Sequence, residues 1–470
     1  MASDTPYVPP AVADVADGDV ERPLKSDSAF SGLLATQFLG AFNDNYFKQM
    51  VLLKCTELAV VGSTNLQPLA LAAFALPFVL FSGFGGWLSD RYSKRTIIVW
   101  CKVAEIAVMA ASLVVLMLSG LSPAGQLKLL IVVLGFMGAQ SAFFGPSKYG
   151  ILPELFKHRQ LLPVNGAIQM TTFLAIIFGT AIAGVALDHL GNSLWLCSMV
   201  AILIAVIGTA TALLVRHTPV ARPGLPFEPG NLFIPKDVRR LFRQKPSLFA
   251  AMMVMSLFWF IGGAAQPGVN NLGDLTLQLS KTRTSLLAAS IGVGIAFGCV
   301  VAGFANKGGR ADGTRWTTRG SWMIVGSLLL IALLGSGVVG RPPESRDQIQ
   351  GLFHSLAVAA PVEWMLRLSM FLLGMSAGFF VIPIQVYIQE APPAEQKGRL
   401  IGAMNVMTWI GILISAGFLW VTQQVIDALA GPEQAHQHQY ATFLALAVLM
   451  IPVALFYRLP TDKPADERAD

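Results

Sequence analysis

Asn43, Asp44 and Asn45, with Lys48 close behind, interrupt an apolar stretch that runs from Phe38-Leu39-Gly40-Ala41-Phe42 to Met50-Val51-Leu52-Leu53. A carboxylate or an ammonium that faces acyl chains costs about 2.5 kcal/mol or more, so these groups must face protein or water. Four polar groups within about one and a half helical turns point to a cavity inside a helix bundle. Asp44 lies roughly 21 Å into its segment at about 1.5 Å per residue, slightly past mid-membrane, where it suits a contact to a polar cargo or an outer gate. The competing reading is a structural pair, because Asp44 and Lys48 are four residues apart and share a helix face.

Other ionisable and amide groups sit at comparable depth. Lys102 and Glu105 are three apart and can pair. Glu105, about 15 Å into its segment, is a candidate proton or cation site, and a buried ion pair between helices is the alternative. Lys148 and Glu390 fall near the inner ends of their segments. Lys148 either snorkels to the surface or contacts cargo, and Glu390 either stays at the surface or pairs when that side closes. Gln169, Gln266, Asn270, Gln385 and Asn405 complete the candidate substrate-binding and gating set. Cys55, Cys101, Cys197 and Cys299 lack CxxC or Cys/His spacing and read as packing residues, and the six histidines fall in loops or segment ends. No metal site and no cofactor is expected.

The elements that must position these groups are membrane helices. Of 470 residues, 54% are hydrophobic and 13% charged, and the mean hydropathy is +0.61, which excludes an ordinary soluble protein. The net charge of +6 lies in short clusters between apolar runs and forms no continuous basic face, so no nucleic-acid partner is expected. Twelve segments are long enough to cross a hydrocarbon core of about 30 Å. They start near Ala29, Leu66, Thr96, Gln126, Val164, Leu194, Leu248, Ser285, Gly320, Trp364, Leu400 and Tyr440, and are called spans one to twelve. Alternate loops carry the basic residues, which places both termini and the long central connection in the cytoplasm. The expected organisation is a disordered tail over 1–28, a six-helix bundle over 29–215, a cytoplasmic linker over 216–247, a second six-helix bundle over 248–458 and a tail over 459–470.

The halves repeat. Gly166-Ala167-Ile168-Gln169-Met170-Thr171-Thr172-Phe173 in span five returns as Gly402-Ala403-Met404-Asn405-Val406-Met407-Thr408-Trp409 in span eleven, 236 residues later. Phe143-Phe144-Gly145-Pro146 in span four returns as Phe379-Phe380-Val381-Ile382-Pro383 in span ten. Small-residue patterns at Gly294 to Gly298 and Gly179 to Ala183 predict close helix crossings. Two related six-helix halves around a mid-membrane site are an architecture of secondary transporters.

Gly86-Trp87-Leu88-Ser89-Asp90-Arg91-Tyr92-Ser93-Lys94-Arg95, after span two, resembles the loop signature of the major facilitator superfamily. Gly86 is expected to let helices approach and Asp90 to accept from a helix end or a basic partner, with Arg91, Lys94 and Arg95 completing a conformational lock. Within that superfamily the chain resembles the bacterial lysophospholipid transporter group. The resemblance rests on Phe38 to Asn45, on Pro146 to Leu155 with Asn165-Gly166, and on Gly378 to Pro383 leading to Gln389-Glu390. It departs from that group's pattern at Gln266, where the pattern has an arginine, and at Gln169, where it has an acidic residue.

The resemblance implies an all-α major facilitator fold that moves lysophospholipid across the bacterial inner membrane by alternating access. It also implies a monomer in the bilayer, with cytoplasmic loops that are candidates to hold an acyltransferase. A drug or small-metabolite antiporter of the same superfamily is the nearest alternative. A membrane acyltransferase would need a His-x4-Asp pair, and His158 is followed five places later by Pro163. A scaffold would not need so many polar groups within its spans.

Overall fold

A helix closes its own backbone hydrogen bonds, so it can cross hydrocarbon without leaving polar groups unpaired. The computed structural model describes residues 24–61, 64–220, 224, 227, 236–305, 310–345, 352–390, 397–431 and 434–460. A few side chains within those ranges, among them Gln389, Glu390 and those of 397–399, lie outside that description. Spans one to six are Ser28–Val60, Gln67–Arg91, Lys94–Met117, Pro123–Gly150, His158–Leu190 and Trp195–Leu213. Spans seven to twelve are Pro246–Asn271, Lys281–Ala305, Arg310–Gly335, Pro361–Glu390, Lys397–Ala430 and Ala441–Phe456. Eleven of these helices are long and apolar enough to cross a membrane on composition alone. Span one falls outside that set because of the polar load it carries through Asn43, Asp44, Asn45 and Lys48.

Several helices begin before the apolar stretch that announced them. Span five starts at His158 and span nine at Arg310. Polar residues in the headgroup layer continue a helix as readily as apolar ones, so hydropathy marks the hydrocarbon and not the helix end. Of the tail expected over 1–28, residues 1–23 lie outside the described residues, while Leu24–Ser26 form a 3-10 turn and Asp27 caps span one through Ala29 N–H at 2.8 Å. Of the central connection, residues 221–223, 225–226 and 228–235 also lie outside them, and Lys236–Gln244 is a short helix.

The halves pack alike. Span two lies on four, one on five and three on six; in the second half eight lies on ten, seven on eleven and nine on twelve. A Cβ at Gly138 would come within 2.3 Å of the Phe74 carbonyl oxygen, and one at Gly374, 236 residues on, within 2.0 Å of that of Ile291. The expected crossing at Gly294 and Gly298 is present. Their Cβ positions fall 2.1 and 2.3 Å from the carbonyl oxygens of Phe371 and Met375 in span ten, which answers with Gly374 and Gly378. Gly179 in span five likewise admits the Phe42 carbonyl of span one, at 2.6 Å. Between the halves, span five meets eight and span two meets eleven, the same contact under the repeat.

Candidate functional site

Three consecutive polar residues on a helix point in three directions, about 100° apart. Asn43 turns into the first bundle, where its Nδ2 donates to Glu105 Oε1 at 2.8 Å and to the Ala201 carbonyl at 3.2 Å. Asp44 turns to span four, where Ser141 Oγ donates to Oδ2 at 2.7 Å and Gln140 Nε2 reaches Oδ1 at 3.5 Å. Asn45 turns towards span five, donates to the Ala41 carbonyl at 2.8 Å, and accepts from Lys48 Nζ at 3.1 Å. Lys48 also lies 5.5 Å from the Phe74 ring centroid, and no ion pair joins it to Asp44. The structural pairing of these two residues is therefore absent. Asp44, Asn45 and Lys48 all remain partly exposed near the middle of a 33-residue helix.

Lys148 does not snorkel. Its ammonium donates to Gln37 Oε1 at 3.0 Å and lies 4.6 Å from the Tyr149 ring centroid. Gln37 is seven residues before Asp44 and on the same face. That spacing was the signal by which it could have been found. Tyr149 in turn donates to Gln169 at 3.1 Å. Gln169 and its repeat counterpart Asn405 are both exposed. Asn405 is one turn below Trp409, whose ring stacks on Phe78 of span two at 3.6 Å, so it lies on the face of span eleven turned to the first half.

Four candidates do not border this central face. Lys102 and Glu105 form an ion pair, each 1% exposed, sealed by Gly40 of span one and Gly208 of span six, and Asn43 belongs to the same sealed network. Their placement answers the need to pair a buried charge and leaves no path to cargo. Asn270 belongs to a closure between the halves. Gln49 Nε2 donates to Asn270 Oδ1 at 2.8 Å and to Ser285 Oγ at 3.3 Å, while Gln49 Oε1 accepts from Gln266 at 3.0 Å and Asn270 at 3.3 Å. Gln67 links to Asn270 and Asn271, Thr56 to Asp274, and Asp188 accepts from the backbone N–H groups of Lys281 and Thr282. Gln49, Gln67 and Asp188 were not foreseen.

All of these bonds between the halves lie in the halves of the spans remote from the basic loops. On the basic side, no hydrogen bond or ion pair crosses between the two bundles among the described residues. Among the described residues, the polar bonds between the halves are therefore confined to the outer side. Gln385 is partly exposed in the inner part of span ten, and the Glu390 side chain lies outside the described residues.

The loop motif works within one half. Lys94 pairs with Glu154 of the short helix after span four, and Arg95 donates to the carbonyls of Val215 at 2.6 Å and Leu213 at 3.1 Å. Arg91 lies over the Trp87 ring at 5.3 Å. Gly86 is a correction: a Cβ there would meet nothing within 4 Å, and the close approach falls on Gly85, 3.1 Å from the Ala142 carbonyl. Asp90 makes no ion pair among the described residues. Its expected locking contact is not made among the described residues.

Two pseudo-equivalent six-helix bundles, closed on one side around a polar centre, define a secondary membrane transporter. The model of the Major Facilitator Superfamily matches residues 30–416, and the chain belongs to that family. Among its relatives is the lysophospholipid transporter LplT of Yersinia enterocolitica serotype O:8 / biotype 1B, 26% identical over 412 residues, covering 85% of this chain and 88% of that protein. LplT of Yersinia pestis (strain Pestoides F) is 27% identical over 380 residues, with 79% and 80% covered. Solved structures share the fold: a D-xylose-proton symporter, at TM-score 0.63 and 14% identity, covers 92% of this chain and 98% of its own. The nucleoside transporter NupG has TM-score 0.62 and 12% identity, with 90% and 98% covered.

Proposed function

We propose that this transporter carries lysophospholipid across the bacterial inner membrane, from the outer towards the inner leaflet, by rocking of its halves. The carrying observation is the central face of the first half. Asp44 stands there beside two cations, Lys48 and Lys148, neither of which is spent on it. A zwitterionic head needs such separated charges: the carboxylate takes an amine and the lysines take a phosphate. Phe78, Phe81, Phe143 and Trp409 supply apolar surface next to these charges for an acyl chain. The names of the relatives point to the same cargo. In this reading the protein acts as a monomer, and an acyltransferase at the cytoplasmic loops receives the cargo.

The test follows labelled lysophosphatidylethanolamine into spheroplasts or proteoliposomes. Uptake that depends on the protein is expected, and its absence removes the lipid assignment. A drug or metabolite antiporter remains the second reading. It is favoured by a second half whose candidate residues with described side chains, Gln266, Asn270, Gln385 and Asn405, are all neutral amides. A thermal-shift comparison separates the two, since the lipid carrier is stabilised more by lysophospholipids than by soluble amphiphiles.

A further inference from the structure

The helix Lys236–Gln244 ends two residues before span seven begins at Pro246. At about 100° per residue, Val238 and Leu241 fall on one face, and both are buried in the core of the second half beside Leu248. Arg239, Arg240 and Arg243 fall on the opposite arc and are exposed. None of these three guanidiniums has a hydrogen-bond or carboxylate partner among the described residues. Phe242 lies 5.3 Å, ring centroid to centroid, from Phe249. Phe249 sits in the first turn of span seven and is 42% exposed. An exposed phenylalanine at the start of a spanning helix faces acyl chains near the headgroup layer. Phe242 therefore marks the edge of the short helix turned to the bilayer, and Arg239 and Arg243 follow it on its exposed side, about 60° and about 100° around the helix.

We propose that this helix is a docking site for the phosphates of anionic phospholipids in the inner leaflet. Arg239 and Arg243 take the phosphates with planar forks that match their oxygens, while Arg240 adds attraction from the cytoplasmic side. The apolar face stays seated on the second half, so the bound lipid holds the inner end of span seven at the membrane surface. The outer end of the same span carries Gln266, Asn270 and Asn271 of the closure. Anionic lipid at one end thus bears on the helix whose other end holds the halves together. The site is separate from the cargo site and does not depend on which cargo is carried.

The test uses the purified full chain and the triple variant Arg239→Gln, Arg240→Gln, Arg243→Gln, titrated with phosphatidylglycerol or phosphatidylcholine, with retained lipid counted by native mass spectrometry. The wild type is expected to prefer phosphatidylglycerol, by about fivefold for each arginine and on the order of a hundredfold for three at low salt, and to lose the preference as salt rises. The triple variant should retain both lipids alike. The single variant Arg243→Gln, with an expected loss of about fivefold, carries the test if the triple variant fails to fold. Equal preference in wild type and variant overturns the proposal. So does tighter retention of a soluble polyglutamate peptide than of phosphatidylglycerol, which would assign the face to an acidic protein.

Discussion

Gln49 makes four hydrogen bonds, and all four cross from the first half to the second. It is fully buried. Its replacement by Leu keeps the volume and removes every one of those bonds in the outward-closed state. Each bond has a net worth of about 1 kcal/mol, so the upper bound is about 4 kcal/mol. Asn270 keeps its bond to Gln67 at 3.0 Å, which brings the expected loss towards about 2 kcal/mol. When the outer side opens, water solvates the same amides, so the loss falls on the closed state alone. The equilibrium should therefore shift towards the outward-open form by roughly 30-fold to nearly a thousandfold.

Spin labels at Val61→Cys and Val338→Cys, on exposed outer positions of opposite halves, report this opening as a longer distance distribution. Cys299 is replaced in the same background, since the other three cysteines are buried. An unchanged distribution in Gln49→Leu would refute the assignment of these amides as the outer closure.

Asp44→Ala should abolish lysophospholipid uptake while expression and thermal stability persist; full uptake in that variant removes the proposed role. Glu105→Gln leaves Lys102 charged and unpaired in the first bundle and should cost about 3 to 5 kcal/mol, seen as a lower unfolding temperature, whereas the double change to Met at both positions recovers most of it. Gly374→Leu drives a side chain into the Ile291 backbone, where even a Cβ has only 2.0 Å, and should abolish folded protein as judged by size-exclusion chromatography. Lys148→Ala should weaken cargo binding by roughly tenfold or more, the loss of one charge-assisted contact of about 1.5 to 3 kcal/mol. Asn405→Ala, which removes a neutral amide, should weaken it by less, as titration by thermal shift would show.

The fold was legible because a spanning helix must be apolar along its length and the basic loops alternate sides. Both signals survive in a single sequence, and the repeat at 236 residues added the pairing of halves. Residue direction was harder to read. Asn43 and Asp44 are neighbours in sequence, yet one is sealed with Glu105 and the other faces span four, because one helical step rotates a side chain by about 100°. Lys102 and Glu105 were open to two readings for the same reason, a proton or cation site or a buried ion pair, and the structure forms the pair: depth is readable, and facing is not. Gln49 and Gln67 escaped notice because amides near the outer ends of spans are ordinary, and only the meeting of two halves gives them a task. Gly86 drew attention through its motif, while its neighbour Gly85 makes the close approach.

The scaffold is symmetric and its chemistry is not. Gly138 and Gly374 perform the same packing in the two halves, and the contacts of span five with eight and of two with eleven mirror each other. The central charges Asp44, Lys48 and Lys148 all belong to the first half, and the described side chains of the second offer amides and the Trp409 ring. Under the proposed cargo role, asymmetric charge would keep a polar head on one half through the motion, so that the second half moves past it without breaking ion pairs. On that reading the carrier keeps its hold on the cargo as it rocks, and the energy of outward opening falls on the outer amides.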